Sequence, residues 1–338
     1  MSVPGGPPGP ERRDAGDGPL PNNPLGSYRR YVVEAWAVYG AITAGVFDAL
    51  TQPASLSTLC QDHGWNRSAL QALLRALTAC GHVSVSPDGW YSLTDRGRRL
   101  FLSSSDDYIG DALSFLRTTP AYMRYPDILR GSEAIGLSEA QWSYVTRGSA
   151  MYATAGVRTL LAHFPELWGH RDLAVLDVGC GQGVYLQELS EALPHARLLG
   201  IDPTQAVVEE AKARLGALGA RAPEVRRAHL ADVEGAFDVV LINQLFHMTG
   251  AKAAVAMLDQ ARAKLKPGGF VFVQEILVHD DNPLPALFGL NMRLLFNEGC
   301  ALTRDELIDM IAGAGFQDVE THPIKELTPG LTYVSGRV

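Results

Sequence analysis

The sequence predicts an α/β protein in which residues 166–338 form a doubly wound sheet and the part before them is mainly α-helical. Three observations predict it. From Leu173 onward, short apolar runs alternate with segments of helical period. The first run, VLDVGCGQG, ends in Gly179, Gly181 and Gly183, a glycine at every second position. Ahead of it, two helical segments are followed by the pattern of a β-hairpin.

Composition bounds the rest. A chain of 338 residues, 46% hydrophobic and 20% charged, can bury cores for about two domains. A formal net charge of -8 argues against nucleic acid as the main partner, because phosphate binding draws on clustered Lys and Arg. Cys60, Cys80, Cys180 and Cys300 are scattered, with no CxxC pair and no His at zinc-ligand spacing, so they read as reduced thiols and imply no metal. No stretch has the apolar length of a signal peptide or of a membrane span, so the expectation is a cytoplasmic protein that does not engage a membrane.

Residues 1–26, rich in Pro and Gly, cannot bury enough surface to offset the entropy of ordering and are expected to form a disordered tail. Next, Val32, Trp36, Tyr39, Val46 and Leu50 mark a bulky helical stripe that can pack on a second subunit. A short helix fits residues 55–63. A stronger one runs from Asn66 as N-cap to Gly81 as stop, with Leu70, Leu73, Leu74 and Leu77 on one face. In HVSVSPDGWYSLT the period changes to that of a hairpin about a Pro-Asp-Gly turn, so residues 27–104 read as a winged-helix-like domain. Such modules bind DNA or serve as dimerisation platforms. Here the candidate recognition helix carries only Arg67 and Arg75, and Arg96, Arg98 and Arg99 follow the wing.

After SSSDD at residues 103–107, helical segments around 108–116 and 144–163 make residues 105–165 a helical linker. The α/β part then reads VLDVG, a helix over 184–193, LLGID, a helix over 204–218, FDVVLIN, a helix over 251–265, FVFVQEI and a helix over 304–315.

At the mouth of a parallel strand, Gly179, Gly181 and Gly183 permit positive φ and close backbone approach to a ligand. The spacing is GxGxG, preceded by Asp177 within the strand. It is not the GxGxxG that seats a dinucleotide pyrophosphate. Asp202 ends the next strand, where a carboxylate accepts both hydroxyls of a ribose. Asp232, in HLADVEG, falls at the expected end of the third strand, where it can accept an exocyclic amine of adenine or act as a loop cap.

VLDVGCGQG, LLGIDP, LADV, FDVVLINQLFH and LKPGGFVFVQE, in this order, resemble the S-adenosylmethionine-dependent class I methyltransferases, whose fold is Rossmann-like. With the winged-helix region in front, the chain from about Tyr28 is similar to the small-molecule O-methyltransferases of natural-product pathways. The resemblance implies S-adenosyl-L-methionine as cofactor. It also implies a homodimer built by the N-terminal domain, and a segment over 105–165 that covers the substrate. It sets Gly179 and Gly181 against the methionine moiety, Asp202 at the ribose and Asp232 with Val233 at the adenine. Asp177 and Gly183 complete the candidate cofactor set.

Methyl transfer requires an aligned nucleophile, removal of its proton and exclusion of water. His247, just past the fourth expected strand, stands at the carboxyl edge where ligands of open α/β sheets bind, and imidazole is the side chain suited to base catalysis near neutrality. The family resemblance makes it the catalytic base. It also makes Glu275 and Glu298 the acidic residues that flank it. Met248 and Thr249 stand where the family has Asp-Trp. That departure leaves open a different use of the cofactor, by cyclisation of its aminobutyrate chain or by lyase-type chemistry. A winged-helix regulator sensing a nucleotide-like ligand is the reading from another class. SYVTRGSAMYATAG, with Tyr144, Met151 and Tyr152, resembles the helix that covers cofactor and substrate.

Overall fold

The computed structural model describes residues 24–169, 172–279, 282–324 and 329–338, so the expected tail lies almost wholly outside the described residues. The chain divides into two compact units, one ending at Ser103 and one beginning at Ser104.

The first unit contains α1 (Pro24–Thr43), α2 (Val46–Ala49), β1 (Ala54–Ser55), α3 (Leu56–His63), α4 (Arg67–Ala79), β2 (Val83–Val85), β3 (Trp90–Leu93) and α5 (Asp95–Phe101). Ser55 caps α3 through the Thr58 amide. Asn66 caps α4, its Oδ1 accepting from Ser68 N–H and Ala69 N–H. Gly81 ends α4 at φ 77°, a left-handed conformation that glycine adopts without Cβ strain. The strands form an antiparallel sheet in the order β1-β3-β2, with Val83 opposite Leu93. Leu70, Leu74 and Leu77 of α4 are buried with Phe47, Leu50, Leu59 and Phe101.

The expected stripe splits at Gly45, whose φ of 77° breaks the helix between α1 and α2. Val46 and Leu50 turn into the core. Tyr28, Tyr31, Val32, Val33 and Trp36 stay exposed along α1.

The second unit opens with a 3₁₀ helix (Gly110–Arg124), α6 (Tyr125–Leu129), α7 (Glu139–Ala150), α8 (Ala153–His163) and α9 (Pro165–Trp168). There follow β4 (Ala174–Val178), α10 (Val184–Ala192), β5 (Arg197–Asp202), α11 (Gln205–Gly216), β6 (Glu224–Arg227), β7 (Phe237–Asn243), α12 (Ala251–Lys264) and β8 (Leu265–Ile276). α13 (Leu284–Leu295), α14 (Arg304–Gly313), β9 (Gln317–Pro323) and β10 (Leu331–Arg337) complete it. The seven strands lie in the order β6-β5-β4-β7-β8-β10-β9. All pairings are parallel except those of β10, which runs antiparallel to both neighbours.

Successive strand residues feed opposite faces, as the two-residue period requires. Val175, Leu241 and Phe272 join one core with Leu160, Leu186 and Val208. Leu176, Val240 and Val271 join the other with Leu258, Leu307 and Ile311. The direction of strand addition reverses between β4 and β7, so their carboxyl ends flank a crevice. Among the described residues no helix is long and apolar enough to cross a membrane.

Candidate active site

The loop after β4 is built as its glycines require. Gly179, Gly181 and Gly183 have φ of 68°, 55° and 76°. A Cβ on Gly179 would meet the Leu245 side chain at 2.8 Å, and one on Gly183 would meet Leu215 at 2.9 Å, so the loop packs tightly on its flanks. Gly181 faces Thr146 of α7 across a wider gap of 3.5 Å. The loop borders a cavity of about 1050 Å³ that runs along the carboxyl ends of β4, β5 and β7 to the face of α13. This stands at the upper end of the usual span of a ligand pocket, roughly 300–1,000 Å³.

Asp202, at the end of β5, is 8% exposed. It accepts from Thr204 N–H at 2.8 Å and from Gly181 N–H at 3.3 Å. Burial nevertheless holds its carboxyl above the usual range, since those bonds offset only part of the desolvation. Asp177, at the edge of β4, is fully enclosed. Asn243 Nδ2 donates to its Oδ1 at 3.3 Å, and its Oδ2 is buried without a partner. Desolvation, opposed by the Asn243 bond and reinforced by the neighbouring Asp202, pushes it up to about 7.

Asp232 and Val233 are placed differently from the sequence expectation. β6 ends at Arg227, so the strand-end position facing the cavity falls to His229, Leu230 and Ala231. A short 3₁₀ turn over Leu230–Asp232 then directs Asp232 to solvent and Val233 into the core. Neither lines the cavity.

The chain leaves β7 through Gln244, whose φ of 58° is a left-handed conformation unusual outside glycine. Its amide donates to the Gln274 carbonyl at 2.8 Å, and a 3₁₀ turn over Phe246–Met248 follows. That turn sets His247 over Glu275 at the end of β8. His247 Nδ1 donates to Glu275 Oε2 at 2.7 Å while Phe246 N–H donates to Oε1 at 2.7 Å. Both residues are buried, at 5% and 1% exposure. With Nδ1–H committed to the carboxylate, the other ring nitrogen is the acceptor, and the ring lines the cavity. Phe288 of α13 meets the ring edge-on at 4.9 Å between centroids, and Cys300 N–H donates to the His247 carbonyl at 3.0 Å. The pair is therefore held from three elements and has the geometry of an oriented general base.

Glu298 stands apart from this pair. It is exposed, its carboxyl lies over Gly250, and it borders a shallow surface depression with Met248 and Thr249. Met151 and Tyr152 line the large cavity as the sequence suggested, and the Tyr144 side chain lies outside the described residues.

Sequence reasoning missed a buried polar group beneath the cavity. Tyr333 donates to Asn243 Oδ1 at 3.1 Å, and Tyr185 donates to Gln274 Oε1 at 2.6 Å. The one available signal was a glutamine inside the apolar run FVFVQE.

Comparison with known proteins gives a consistent result. A family model described as "Methyltransferase domain" matches residues 176–271. The 3-hydroxy-5-methyl-1-naphthoate 3-O-methyltransferase of Streptomyces sahachiroi is 27% identical over 86% of this chain and 87% of its own. The tetracenomycin polyketide synthesis 8-O-methyl transferase of Streptomyces glaucescens is 25% identical over 84% and 88%. Among solved structures, human N-acetylserotonin methyltransferase in complex with S-adenosylmethionine superposes with a TM-score of 0.80 at 18% identity, covering 93% of this chain and 96% of that one.

The double acceptance at Glu275 makes a stability prediction. In Glu275→Gln the amide oxygen keeps Phe246 N–H and the NH₂ donates to Nδ1 of the other imidazole tautomer, so both contacts survive but two charge-assisted bonds become neutral ones. Urea unfolding should show a loss of about 1–3 kcal/mol. In Glu275→Ala both donors are orphaned and the loss should be larger.

Proposed function

Because the chain is a class I S-adenosylmethionine-dependent methyltransferase of the small-molecule O-methylating type, we propose that it methylates a hydroxyl of an aromatic, polyketide-like acceptor with His247 as general base. The observation that carries this reading is the buried His247–Glu275 pair opening on a cavity with an apolar wall of Leu284, Leu287, Phe288, Met292 and Leu295. The named acceptors of the two Streptomyces relatives, a naphthoate and a tetracenomycin polyketide, support it.

The residues fit the cofactor. Asp177 offers a buried, unpartnered oxygen suited to the ammonium of the methionine moiety, and Gly179 and Gly181 line the cavity with backbone alone, which that moiety can approach. Gly183, with positive φ, turns the chain into α10. Asp202 retains acceptor capacity for the two ribose hydroxyls beyond its two backbone bonds. The adenine falls to the His229–Leu230–Ala231 edge instead of Asp232 and Val233. When bound, S-adenosylmethionine supplies a sulfonium-activated methyl group that an oxygen nucleophile takes, releasing S-adenosylhomocysteine. His247 accepts the acceptor's hydroxyl proton, Glu275 stabilises the resulting imidazolium, and the apolar wall excludes water. Exposed Glu298 has no part in this step.

The winged-helix reading of the first unit and its role in assembly belong to the same proposal. Five large apolar side chains stand exposed on α1, Tyr31 at 68%, and a twofold contact would cover them. The same proposal has a cytoplasmic homodimer that acts on small molecules and not on nucleic acid, since a net charge of -8 is unfavourable for phosphate binding. Light scattering of the full chain at micromolar concentration should report a dimer, and Trp36→Glu should shift it toward monomer.

His247→Ala should lower turnover about 10²–10⁴-fold and leave cofactor affinity nearly unchanged. A labelled methyl donor should yield S-adenosylhomocysteine and methylated phenol in equal amounts. Acceptor-independent release of methylthioadenosine would overturn the reading.

The pH dependence of cofactor binding follows from Asp177. Its carboxyl is raised to about 7, so it is neutral below that pH and gives little to a cationic ammonium. Calorimetric affinity for S-adenosylmethionine should therefore fall as pH drops below about 7. It should fall again above about 8, where an α-amino group sheds its proton. Asp177→Asn should remove the acidic limb and leave a uniformly weaker site.

A further inference from the structure

The two carboxylates lining the large cavity, Asp177 and Asp202, both stand at strand ends on the cofactor side. The α13 wall has no acidic group to neutralise a cationic acceptor. Among apolar neighbours it presents one amide, Asn291, which is half-buried. Thr118, on the 3₁₀ helix across the cavity, donates to Asn291 Oδ1 at 3.4 Å. That contact engages the amide oxygen, so the donors of the group are those on Nδ2.

The place of this donor is informative. Phe288 packs edge-on against His247 at 4.9 Å, and Asn291 follows three residues later, so both lie on one helix face. The rise between them is about 4.5 Å, roughly the width of one aromatic ring. Asn291 therefore stands one turn along α13 from the residue that touches His247, and both line the cavity.

We propose that Asn291 is a specificity-determining residue that donates to a carbonyl oxygen beside the acceptor's hydroxyl. The acceptors are then polycyclic phenols in which hydroxyl and carbonyl are neighbours, an inference that rests on the aromatic-acceptor reading above. In such a phenol the hydroxyl proton is engaged by the carbonyl in an internal hydrogen bond, which opposes its removal. A donor from Asn291 takes over the carbonyl and releases the O–H to His247 Nε2. The proton passes to that nitrogen and the electron pair stays on the phenol oxygen.

The test uses two isomers of equal size, 1-hydroxyanthraquinone, whose hydroxyl adjoins a carbonyl, and 2-hydroxyanthraquinone, whose hydroxyl does not. Binding is read by quenching of tryptophan fluorescence with S-adenosylhomocysteine present, since Trp142 lines the cavity, and turnover is read by product formation. The wild type should favour the 1-isomer by about tenfold or more in both. Asn291→Leu should lower affinity and kcat/KM about tenfold or more for the 1-isomer and change the 2-isomer less than about threefold. Asn291→Asp, nearly isosteric but lacking the donor, should show the same selective loss. Unchanged S-adenosylhomocysteine affinity in both variants reports an intact fold. Equal losses on the two isomers, or a wild-type preference for the 2-isomer, would show Asn291 to be only a brace between α13 and the 3₁₀ helix. A wild type that binds S-adenosylhomocysteine but neither isomer would instead overturn the aromatic-acceptor reading, and this inference with it.

Discussion

The site depends on one carboxylate. Glu275 ends β8 in the middle of the sheet, fixed between parallel β7 and antiparallel β10. It receives the side chain of His247 and the backbone amide of the residue before it. One buried anion therefore sets both the orientation of the ring and the path of the loop that carries it. Two charge-assisted bonds of this kind contribute about 1.5–3 kcal/mol each, enough to hold a short turn that has little apolar surface of its own. The left-handed backbone at Gln244 fits the same constraint. A chain leaving β7 in extended conformation would carry His247 outward past the sheet edge. The reversal at Gln244, secured to the Gln274 carbonyl, returns it over the neighbouring strand.

The sheet order explains why so many polar groups collect beneath the cavity without unfolding the core. Tyr333 of β10 pairs in register with Gln274 of β8, and its hydroxyl reaches past that strand to Asn243 on β7. Asn243 in turn supports Asp177 on β4. A chain of hydrogen bonds thus crosses four strands and ends at the cavity wall. Each member would be costly to bury alone, and linked they leave the outward oxygen of Asp177 as the group without a partner at that end.

What was legible in the sequence was what period and turn chemistry encode. The caps at Ser55 and Asn66 and the hairpin about Gly89 rest on contacts within a few residues, the four apolar strands and the glycine loop carry their own period and residue types, and all form where expected. Features set by distant parts of the chain were not legible. β10 is buried along nearly its whole length, so it shows no alternation to mark it as a strand. β6 is only four residues long and ends at Arg227, so His229–Ala231, and not Asp232, fall on the cavity edge. Glu298 looked equivalent to Glu275 because sequence spacing cannot tell a strand-end carboxylate from one on an exposed loop.

The cavity's two characters follow from how its walls are made. Strand ends in a parallel sheet present unsatisfied backbone and short polar side chains, so the wall formed by β4, β5 and β7 is polar wherever the chain begins to turn. α13 satisfies its own backbone, and its inward face is free to be almost wholly apolar. A charged, hydroxyl-rich molecule suits the first wall and a flat apolar one the second. His247 stands where they meet, reached from the sheet through Glu275 and touched from the helix by Phe288. Glu275 holds the ring by a hydrogen bond from the sheet, and Phe288 adds an edge-on contact from α13. Under the proposed function, that double contact would couple the position of the proton acceptor to the seat of the group it deprotonates.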